Sequence, residues 1–324
     1  MKISPFVAIW AICLSLSSCV QEAAVPSYSL EPEQVVNQLG DSLYLSPQIS
    51  CIDHRNGKTY ISDYRQGLMV LRADFCLDTI LATQGHGRGE VNGCGSFYLD
   101  DVQTLTLLDD MNRRYVHFLP NGTFVTDRNS GMDYISTGRF FTVGDTVYNA
   151  IKKNENTVVQ LKDGVSVKTL CPLTDREDIR QPAPSERHLL WTGSTFLVLG
   201  TALPILQEYT LSGQLVQDFD LSTLPQLAGP FEYNSQNATG NSYFVVIQDA
   251  YYREGFLYLL SATQEPYLCN HISVLKKTDH QFKVFANIQL SGKAYSTFCI
   301  TADRKCLAVN AQTSAIEVYP LPNF

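Results

Sequence analysis

The sequence predicts an all-β fold built from six repeats of about 50 residues each. Three observations predict it. Apart from the N-terminus, apolar residues occur in short runs rich in Val, Leu, Tyr, Phe and Thr, which is typical of β-strands. Turns that contain glycine separate these runs, as at Asn56-Gly57, Asn121-Gly122, Asp163-Gly164 and Ser212-Gly213. The pattern recurs along the chain, and repeats of this length predict a six-bladed β-propeller of four-stranded antiparallel blades.

The composition describes a folded, acidic chain. Of its 324 residues, 44% are hydrophobic, 11% aromatic and only 17% charged, which argues against disorder. After residue 18, no apolar run reaches the roughly 20 residues that a membrane-spanning helix needs. The formal net charge of −8 gives the protein no general attraction to nucleic acid or to an anionic membrane surface. We therefore expect a soluble body and no nucleic-acid partner.

The N-terminus is typical of an export signal. Met1-Lys2 precedes an apolar run at 5–14 that is too short to span a bilayer. It is followed by Leu16-Ser17-Ser18-Cys19, which resembles the bacterial lipobox, in which the cysteine thiol is diacylated before cleavage. We expect 1–18 to be a lipoprotein signal peptide and Cys19 to be the lipidation site. An ordinary signal peptide that leaves Cys19 as a free thiol is the alternative.

A lipidated Cys19 would make the membrane a partner of the mature protein. Three acyl chains in total anchor such a protein durably, because each buried methylene contributes about 0.8 kcal/mol. Val20 stands where an aspartate retains many lipoproteins at the inner membrane, so we expect an outer-membrane location in a bacterial cell envelope. The polar residues of 19–34 are suited to a tether.

Each repeat is recognised by a central strand, and successive copies lie 42 to 61 residues apart. The central strands are 58–63, 104–109, 145–149, 195–199, 255–260 and 306–310. A second apolar strand follows each of them, at 67–71, 114–118, 157–161, 206–209, 271–275 and 315–319. The last repeat lacks a fourth strand, so we expect a strand within 35–44 to complete it and to protect its edge. We thus expect 35–324 to form one propeller domain; a pair of β-sandwiches is the alternative.

Seven cysteines remain after the signal and Cys19: Cys51, Cys76, Cys94, Cys171, Cys269, Cys299 and Cys306. The odd number leaves at least one unpaired thiol unless chains cross-link. No CxxC or Cys/His spacing indicates structural zinc. Cys299 and Cys306 flank the turn of a predicted hairpin, where they either face each other or lie buried as free thiols; we favour the free thiols.

Three segments resemble the six-bladed propeller lipoproteins of Bacteroidetes, whose blades are similar to NHL and TolB-like repeats. The segments are Gly57-Lys58-Thr59-Tyr60-Ile61-Ser62-Asp63-Tyr64, Leu107-Leu108-Asp109-Asp110-Met111-Asn112-Arg113-Arg114 and the linker Gly85-His86-Gly87-Arg88-Gly89-Glu90. The linker departs from the family pattern, because 91–96 displace the usual phenylalanine to Phe97. The resemblance is strongest in the first two repeats and implies the fold far more than an activity.

Candidate ligand-binding residues lie where strands meet turns or linkers. They are Arg65, His86, Arg88, Asp110, Arg113, Arg187 and His188.

The glycine-rich linker at 85–89 could present backbone amides and Arg88 to an anion, although it lacks the lysine and Ser/Thr of a P-loop. The alternative is that its glycines only let the chain cross between blades. Asp63, Asp109 and Asp110 follow central strands and either line a ligand site or accept hydrogen bonds from turn amides.

The remaining signals favour binding over catalysis. No HxH, HxxxH, HExxH or GxSxG motif is present, so we predict no catalytic residue, metal or cofactor. The long segment 221–241 is aromatic and resembles a loop, suited to recognition or to covering one face. The leading hypothesis is a non-catalytic envelope lipoprotein that binds a glycan, a peptide or an envelope protein. The alternatives are a metal-dependent lactonase-like hydrolase or lyase acting at the propeller axis, as in some six-bladed relatives, and a structural subunit of a surface assembly.

Overall fold

The computed structural model describes residues 24–39, 43–45, 49–102, 104–131, 136–151, 155–174, 186–239, 242–264, 266–278 and 281–323. These residues form a six-bladed β-propeller in which each blade is a four-stranded antiparallel sheet. The predicted fold is confirmed, and the alternative of two β-sandwiches is wrong. The predicted signal peptide and Cys19 lie outside the described residues. No helix within the described ranges is long and apolar enough to cross a membrane.

Four short strands precede the first blade: β1 (Ser27–Leu30), β2 (Gln34–Val36), β3 (Gln38–Leu39) and β4 (Leu43–Tyr44). Blade 1 contains β5 (Ile49–Arg55), β6 (Lys58–Asp63), β7 (Gly67–Leu71) and β8 (Leu77–Ala82). Blade 2 contains β9 (Cys94–Leu99), β10 (Leu105–Asp109), β11 (Arg114–Phe118) and β12 (Phe124–Asn129). Blade 3 contains β13 (Phe141–Val143), β14 (Thr146–Ala150), β15 (Asn156–Lys162) and β16 (Val165–Pro172).

Blade 4 contains β17 (Arg187–Trp191), β18 (Thr195–Gly200), β19 (Ile205–Thr210) and β20 (Leu215–Asp220). Blade 5 contains β21 (Ile247–Arg253), β22 (Phe256–Gln264), β23 (Tyr267–Lys277) and β24 (Phe282–Leu290). Blade 6 contains β25 (Tyr295–Ile300), β26 (Lys305–Asn310) and β27 (Ala315–Pro320), and β2 completes it. The predicted central strands are the second strands of the six blades.

The first strand of each blade lies nearest the axis. Strands β5, β9, β13, β17, β21 and β25 contact one another in a closed ring. The outermost strands of the first four blades, β8, β12, β16 and β20, are partly exposed and carry both polar and apolar side chains at the surface, among them Val125, Val165 and Leu215. Apolar side chains are buried between neighbouring blades, so the core is a set of layers around the axis.

The N-terminal segment closes the ring. Strand β2 pairs antiparallel with β27, the Glu33 N–H donates to the Val318 carbonyl at 2.8 Å, and Val36 is buried. A strand from before blade 1 thus completes the last repeat, as expected, but it spans Gln34–Val36 and begins one residue before the expected range 35–44. Within the segment expected to be a tether, β1 adds in parallel to the outer edge of β24. Tyr28 and Leu30 pack against the core there, which explains why this stretch is a strand.

The segment at 221–241 that was expected to be a loop is helical over 221–223 and 225–237, and the loop prediction is wrong there. A 3-10 helix spans Leu221–Thr223 and is followed by the α-helix α1 at Pro225–Asn237. Leu224, Leu227 and Phe231 are buried at helical spacing, so the segment has an apolar face that the loop interpretation overlooked. Proline at the first position of a helix is favourable, because its missing N–H would have no partner there.

All seven described cysteines are free thiols. The predicted hairpin between Cys299 and Cys306 is β25–β26, and both thiols are buried, as favoured above. Burial raises the pKa of Cys51 to about 11 and that of Cys269 to about 12. A thiol must lose its proton to react, so burial protects these groups from oxidation. Cys76 is half-buried.

Removing β2 is expected to destabilise the protein much more than removing β1. A chain that starts at Gln38 loses the burial of Val36 and the ladder with β27, which together contribute about 3 to 5 kcal/mol to the free energy of unfolding. A chain that starts at Pro32 keeps both and serves as the matched control. Urea unfolding of the two chains measures the difference. Equal stability of the two would show that β2 does not close the propeller.

Candidate binding site

An ion pair on the axis joins blades that are not neighbours. Arg139, just before β13, donates from Nε and Nη2 to the two carboxylate oxygens of Asp249 on β21, both at 2.7 Å. Asp249 also accepts from Thr297 Oγ1 at 2.6 Å, and Arg139 Nη2 donates to the Phe298 carbonyl at 2.7 Å. Burial alone would raise the pKa of Asp249, but the adjacent guanidinium holds it below its ordinary value. The pair, named here the axial ion pair, is therefore charged and almost completely enclosed.

The axial ion pair divides the centre of the propeller into two cavities. We name the face where the first strands of the blades begin the upper face, and the opposite one the lower face. The upper pocket has a volume of about 340 Å³ and the lower pocket about 280 Å³, and Arg139 lies in the wall of both. A ligand therefore enters from one face and does not pass through.

His188 is a buried donor in the wall of the upper pocket. Its Nδ1 atom accepts a hydrogen bond from the Arg139 N–H at 3.1 Å, so the neutral ring carries its proton on Nε2. Burial lowers the pKa of His188, which keeps the ring neutral at pH 7. The side chain is only 7% exposed, and Nε2 has no hydrogen-bond partner among the described residues. Such a donor indicates a place for a ligand or a water molecule.

Asp110 and Glu186 make the upper pocket acidic. Both line it, and Arg139, the only cation among the lining residues that the structure describes, is neutralised by Asp249. Asp110 Oδ1 is buried and has no partner within the described ranges. Burial raises the pKa of Asp110, and the charge of Asp109 raises it further.

Gly93 leaves the space that the Asp110 carboxylate occupies. Its φ of +142° lies in the region that favours glycine, and a Cβ at this position would collide with Asp110 Oδ1. Gly93 belongs to the segment 91–96, at which the linker departs from the pattern that it resembles. This segment thus shapes the upper pocket, which Cys94, Gly95 and Ser96 also line.

An aromatic groove of about 810 Å³ lies beside the upper pocket. Pro230 and Tyr233 of α1 form one side, and Tyr243 and Phe244 lie along it. Tyr233 is 47% exposed. The Tyr243 hydroxyl donates to Glu186 Oε2 at 3.2 Å, which links the groove to the pocket. The two cavities therefore form one continuous surface on the upper face.

The structure brings two of the seven candidate residues together: Asp110 and His188 both line the upper pocket. Arg187 is 1% exposed within β17 and does not line the pocket. Arg65 and Arg113 are exposed in the turns that follow β6 and β10.

The two linker candidates, His86 and Arg88, are exposed between blades 1 and 2. His86 Nδ1 is 3.3 Å from Asn112 Oδ1, and the Arg88 guanidinium lies 5.5 Å from the centre of the Phe124 ring. Neither side chain lines the upper or the lower pocket.

The aspartates at the ends of the second strands stabilise turns, as the alternative interpretation expected. Asp63 Oδ1 accepts from the backbone N–H groups of Arg65 at 2.9 Å and Gln66 at 3.1 Å. Asp109 Oδ1 accepts from the Asn92 N–H at 3.1 Å, and its Oδ2 accepts from Arg114 Nε at 2.9 Å. Within the part of the chain that the structure describes, no three His, Cys, Asp or Glu side chains are grouped as ligands for a metal ion.

Sequence reasoning missed Arg139 and Asp249; for the groove it pointed to the aromatic segment 221–241 as suited to recognition but took that segment for a loop. The available signal was a charge beside or within an apolar strand pattern, as in Arg139-Phe140-Phe141 and Ile247-Gln248-Asp249-Ala250-Tyr251. A buried charge almost always has a partner, so two such charges in one domain indicate a pair.

No protein-family model matches the sequence, and no curated protein is similar to it in sequence. Solved structures share the fold. An exported protein of Bacteroides fragilis aligns with a TM-score of 0.58 and 11% identity over 88% of each chain. The Cps50 (Swd1) propeller domain of Myceliophteria thermophila gives 0.55 and 8% identity, over 88% of this chain and 99% of that one. A streptogramin B lyase gives 0.50 and 11% identity, over 90% and 88%. At these identities the likeness shows the fold alone.

Breaking the axial ion pair is expected to cost about 3 to 5 kcal/mol in the free energy of unfolding, because Arg139→Met leaves Asp249 as a buried, unpaired charge. Asp249→Asn should lower the free energy of unfolding by a similar amount, and the double variant should lose clearly less than the sum of the two single losses. Urea unfolding measures all three. The exposed pair Arg72 and Asp74, separated by 3.5 Å, provides the matched control, whose removal should have no measurable effect. Additive losses at Arg139 and Asp249 would contradict the coupling.

Proposed function

We propose that this protein is a non-catalytic binding protein of the bacterial cell envelope, anchored through a lipid on Cys19, that holds a partner on its upper face. The continuity of the upper pocket with the aromatic groove supports this function. Together they offer buried polar groups for specificity and exposed aromatic surface for affinity, which is the usual division of roles in a binding site.

Among a glycan, a peptide and an envelope protein, the upper face favours a polypeptide segment that carries positive charge. Asp110 and Glu186 complement a lysine or arginine side chain. The tyrosine rings of the groove can receive a cation on their faces or pack against apolar side chains. His188 Nε2–H complements a backbone carbonyl. An envelope protein that presents such a segment would also fit a role in a larger assembly.

The axial ion pair favours binding over the metal-dependent alternative. A lactonase-like hydrolase or lyase acting at the axis would need anionic or imidazole ligands that converge there. In this chain the centre of the axis is occupied by the Arg139 guanidinium, and the Asp249 carboxylate is fully engaged by Arg139, Thr297 and Phe298. The pair therefore offers no free anionic or imidazole ligand to a metal cation at that place.

The anchor would hold the propeller close to the membrane. Ser27, the first residue of β1, lies eight residues after Cys19, so the intervening chain reaches at most about 28 Å. A location at the outer membrane follows from Val20, as argued from the sequence.

Cys19→Ala is expected to abolish incorporation of labelled palmitate and, because diacylation precedes cleavage, to leave the signal peptide on the protein, which a gel detects as a larger chain. Cys13→Ala, within the predicted signal peptide, is the matched control and should keep both the label and the cleavage. Membrane-bound, unlabelled wild-type protein would contradict the anchor.

The upper face is expected to select cationic, aromatic peptides from a random dodecapeptide display library. For a selected synthetic peptide, Asp110→Asn and Tyr233→Ala should each weaken binding about 5- to 10-fold, as measured by calorimetry. As the pH falls, binding should weaken sooner than it would with an aspartate of ordinary pKa. The reason is the raised pKa of Asp110, because of which its carboxylate takes up a proton and loses its charge at a higher pH.

Asp78→Asn supplies the control, since it removes a carboxylate from the outer strand β8, where Asp78 pairs with Lys58 at 2.8 Å. It should leave peptide affinity unchanged. Selection of acidic peptides, or affinities that do not respond to Asp110→Asn, would contradict the proposed partner class.

A further inference from the structure

The lower pocket is a second concave site, independent of the upper face. It lies where the first strands of blades 1, 2, 4 and 5 end, and it is closed from above by the axial ion pair. Its walls combine aromatic rings with charged side chains, and the residues used below are Arg55, Tyr98, Asp101, Trp191 and Tyr252.

Trp191 lines the lower pocket and is covered on one side by Phe141. Phe141 stacks on the indole with the ring centres 5.5 Å apart and an angle of 17° between the planes. Trp191 is nevertheless only half-buried and lines the pocket, as do Tyr98 and Tyr252. These rings form an apolar platform at the cavity wall.

The polar groups of the lower pocket include both hydrogen-bond donors and hydrogen-bond acceptors. Arg55 Nε is a buried donor with no hydrogen-bond partner among the described residues, since Asp53 Oδ2 is 3.6 Å away. Asp53 Oδ1 is engaged by the Tyr251 hydroxyl at 2.6 Å and by the His54 N–H at 2.7 Å. Asp101 adds an exposed carboxylate at the rim. A ligand there must accept from one group and donate to another.

The charges inside the lower pocket are paired. Arg55 lies beside Asp53, Arg253 beside Glu254 and Arg139 beside Asp249, and among the lining residues only the exposed carboxylate of Asp101, at the rim, adds to these pairs. Arg253 is also engaged with Glu254 at 3.2 Å and with the Ile300 carbonyl at 3.0 Å. A charged ligand would disturb this pairing, and a purely apolar one would leave Arg55 Nε buried without a partner.

We propose that the lower pocket binds a neutral saccharide ring, either free or as the terminal residue of a glycan. Sugar hydroxyls both donate and accept, so they can satisfy Arg55 and Asp101 together. The C–H face of the ring packs on the indole of Trp191. The cavity of about 280 Å³ admits one ring and leaves a longer glycan outside.

Trp191 reports on this site directly. The sequence has two tryptophans, and Trp10 lies in the predicted signal peptide, so a chain that starts at Val20 has Trp191 as its single tryptophan. We would titrate that chain with the methyl glycosides of glucose, galactose, mannose and N-acetylglucosamine and with their disaccharides. Glucosamine, glucuronate and cyclohexanol serve as cationic, anionic and apolar comparisons.

At least one neutral saccharide is expected to change Trp191 fluorescence saturably, with a dissociation constant on the order of 1 mM for a single ring. Arg55→Met should weaken that binding at least 10-fold and Asp101→Asn about 3-fold, both measured by fluorescence and by calorimetry. Arg72→Met, at an exposed arginine between β7 and β8, is the control and should have no effect. If a disaccharide binds more tightly than its single ring, the ligand is the terminal residue of a glycan. If the two bind equally, the ligand is a free sugar.

Three results would overturn the proposal. They are no saturable response to any neutral saccharide of the panel, stronger binding of a charged or apolar comparison compound, and binding that persists unchanged in Arg55→Met. Peptide binding on the upper face is measured in a separate experiment, so failure of the saccharide proposal and failure of the proposed function can be told apart.

Discussion

The axial ion pair is the constraint on which the rest of the structure depends. In a propeller each blade packs only on its two neighbours, so the ring could open or its axis remain a channel. Arg139 and Asp249 prevent both, because their hydrogen bonds connect the entrance to blade 3 with blades 5 and 6 across the axis. Removing two charges from water is costly, and the pair offsets this cost only because nearly every polar atom has a partner. The two pockets exist because the pair closes the space between them.

The pairing of the N-terminal strand β2 with blade 6 also closes the ring of blades. Strand β2, from the start of the domain, completes the blade at its end, so the first and last parts of the chain hold each other. The interior is then shielded enough for six of the seven described cysteines to remain buried as free thiols. Because burial raises their pKa values, they are compatible with export without forming disulfides.

The sequence predicts what is local in this fold and misses what is not. Strand patterns and glycine turns repeat within each blade, so the blades, the second strands and the turn-stabilising roles of Asp63 and Asp109 could be inferred. Strand β1 could not, because its register depends on a parallel partner more than 250 residues away. Helix α1 was missed because its prolines and glycine outweighed the spacing of Leu224, Leu227 and Phe231. The axial ion pair joins residues 110 positions apart, and no local pattern encodes that distance.

The position of strand β1 decides how the proposed anchor would affect access to the two pockets. Strand β1 lies at the outer edge of blade 5, not on the upper or the lower face. A chain that leaves Ser27 toward a lipid on Cys19 would therefore hold the propeller by its side. Neither pocket is then covered by the anchor, and each face stays open to a partner in the surrounding compartment. Because the axial ion pair separates the two pockets, the protein could hold two different ligands at once, a cationic, aromatic segment on its upper face and a neutral saccharide ring in its lower pocket.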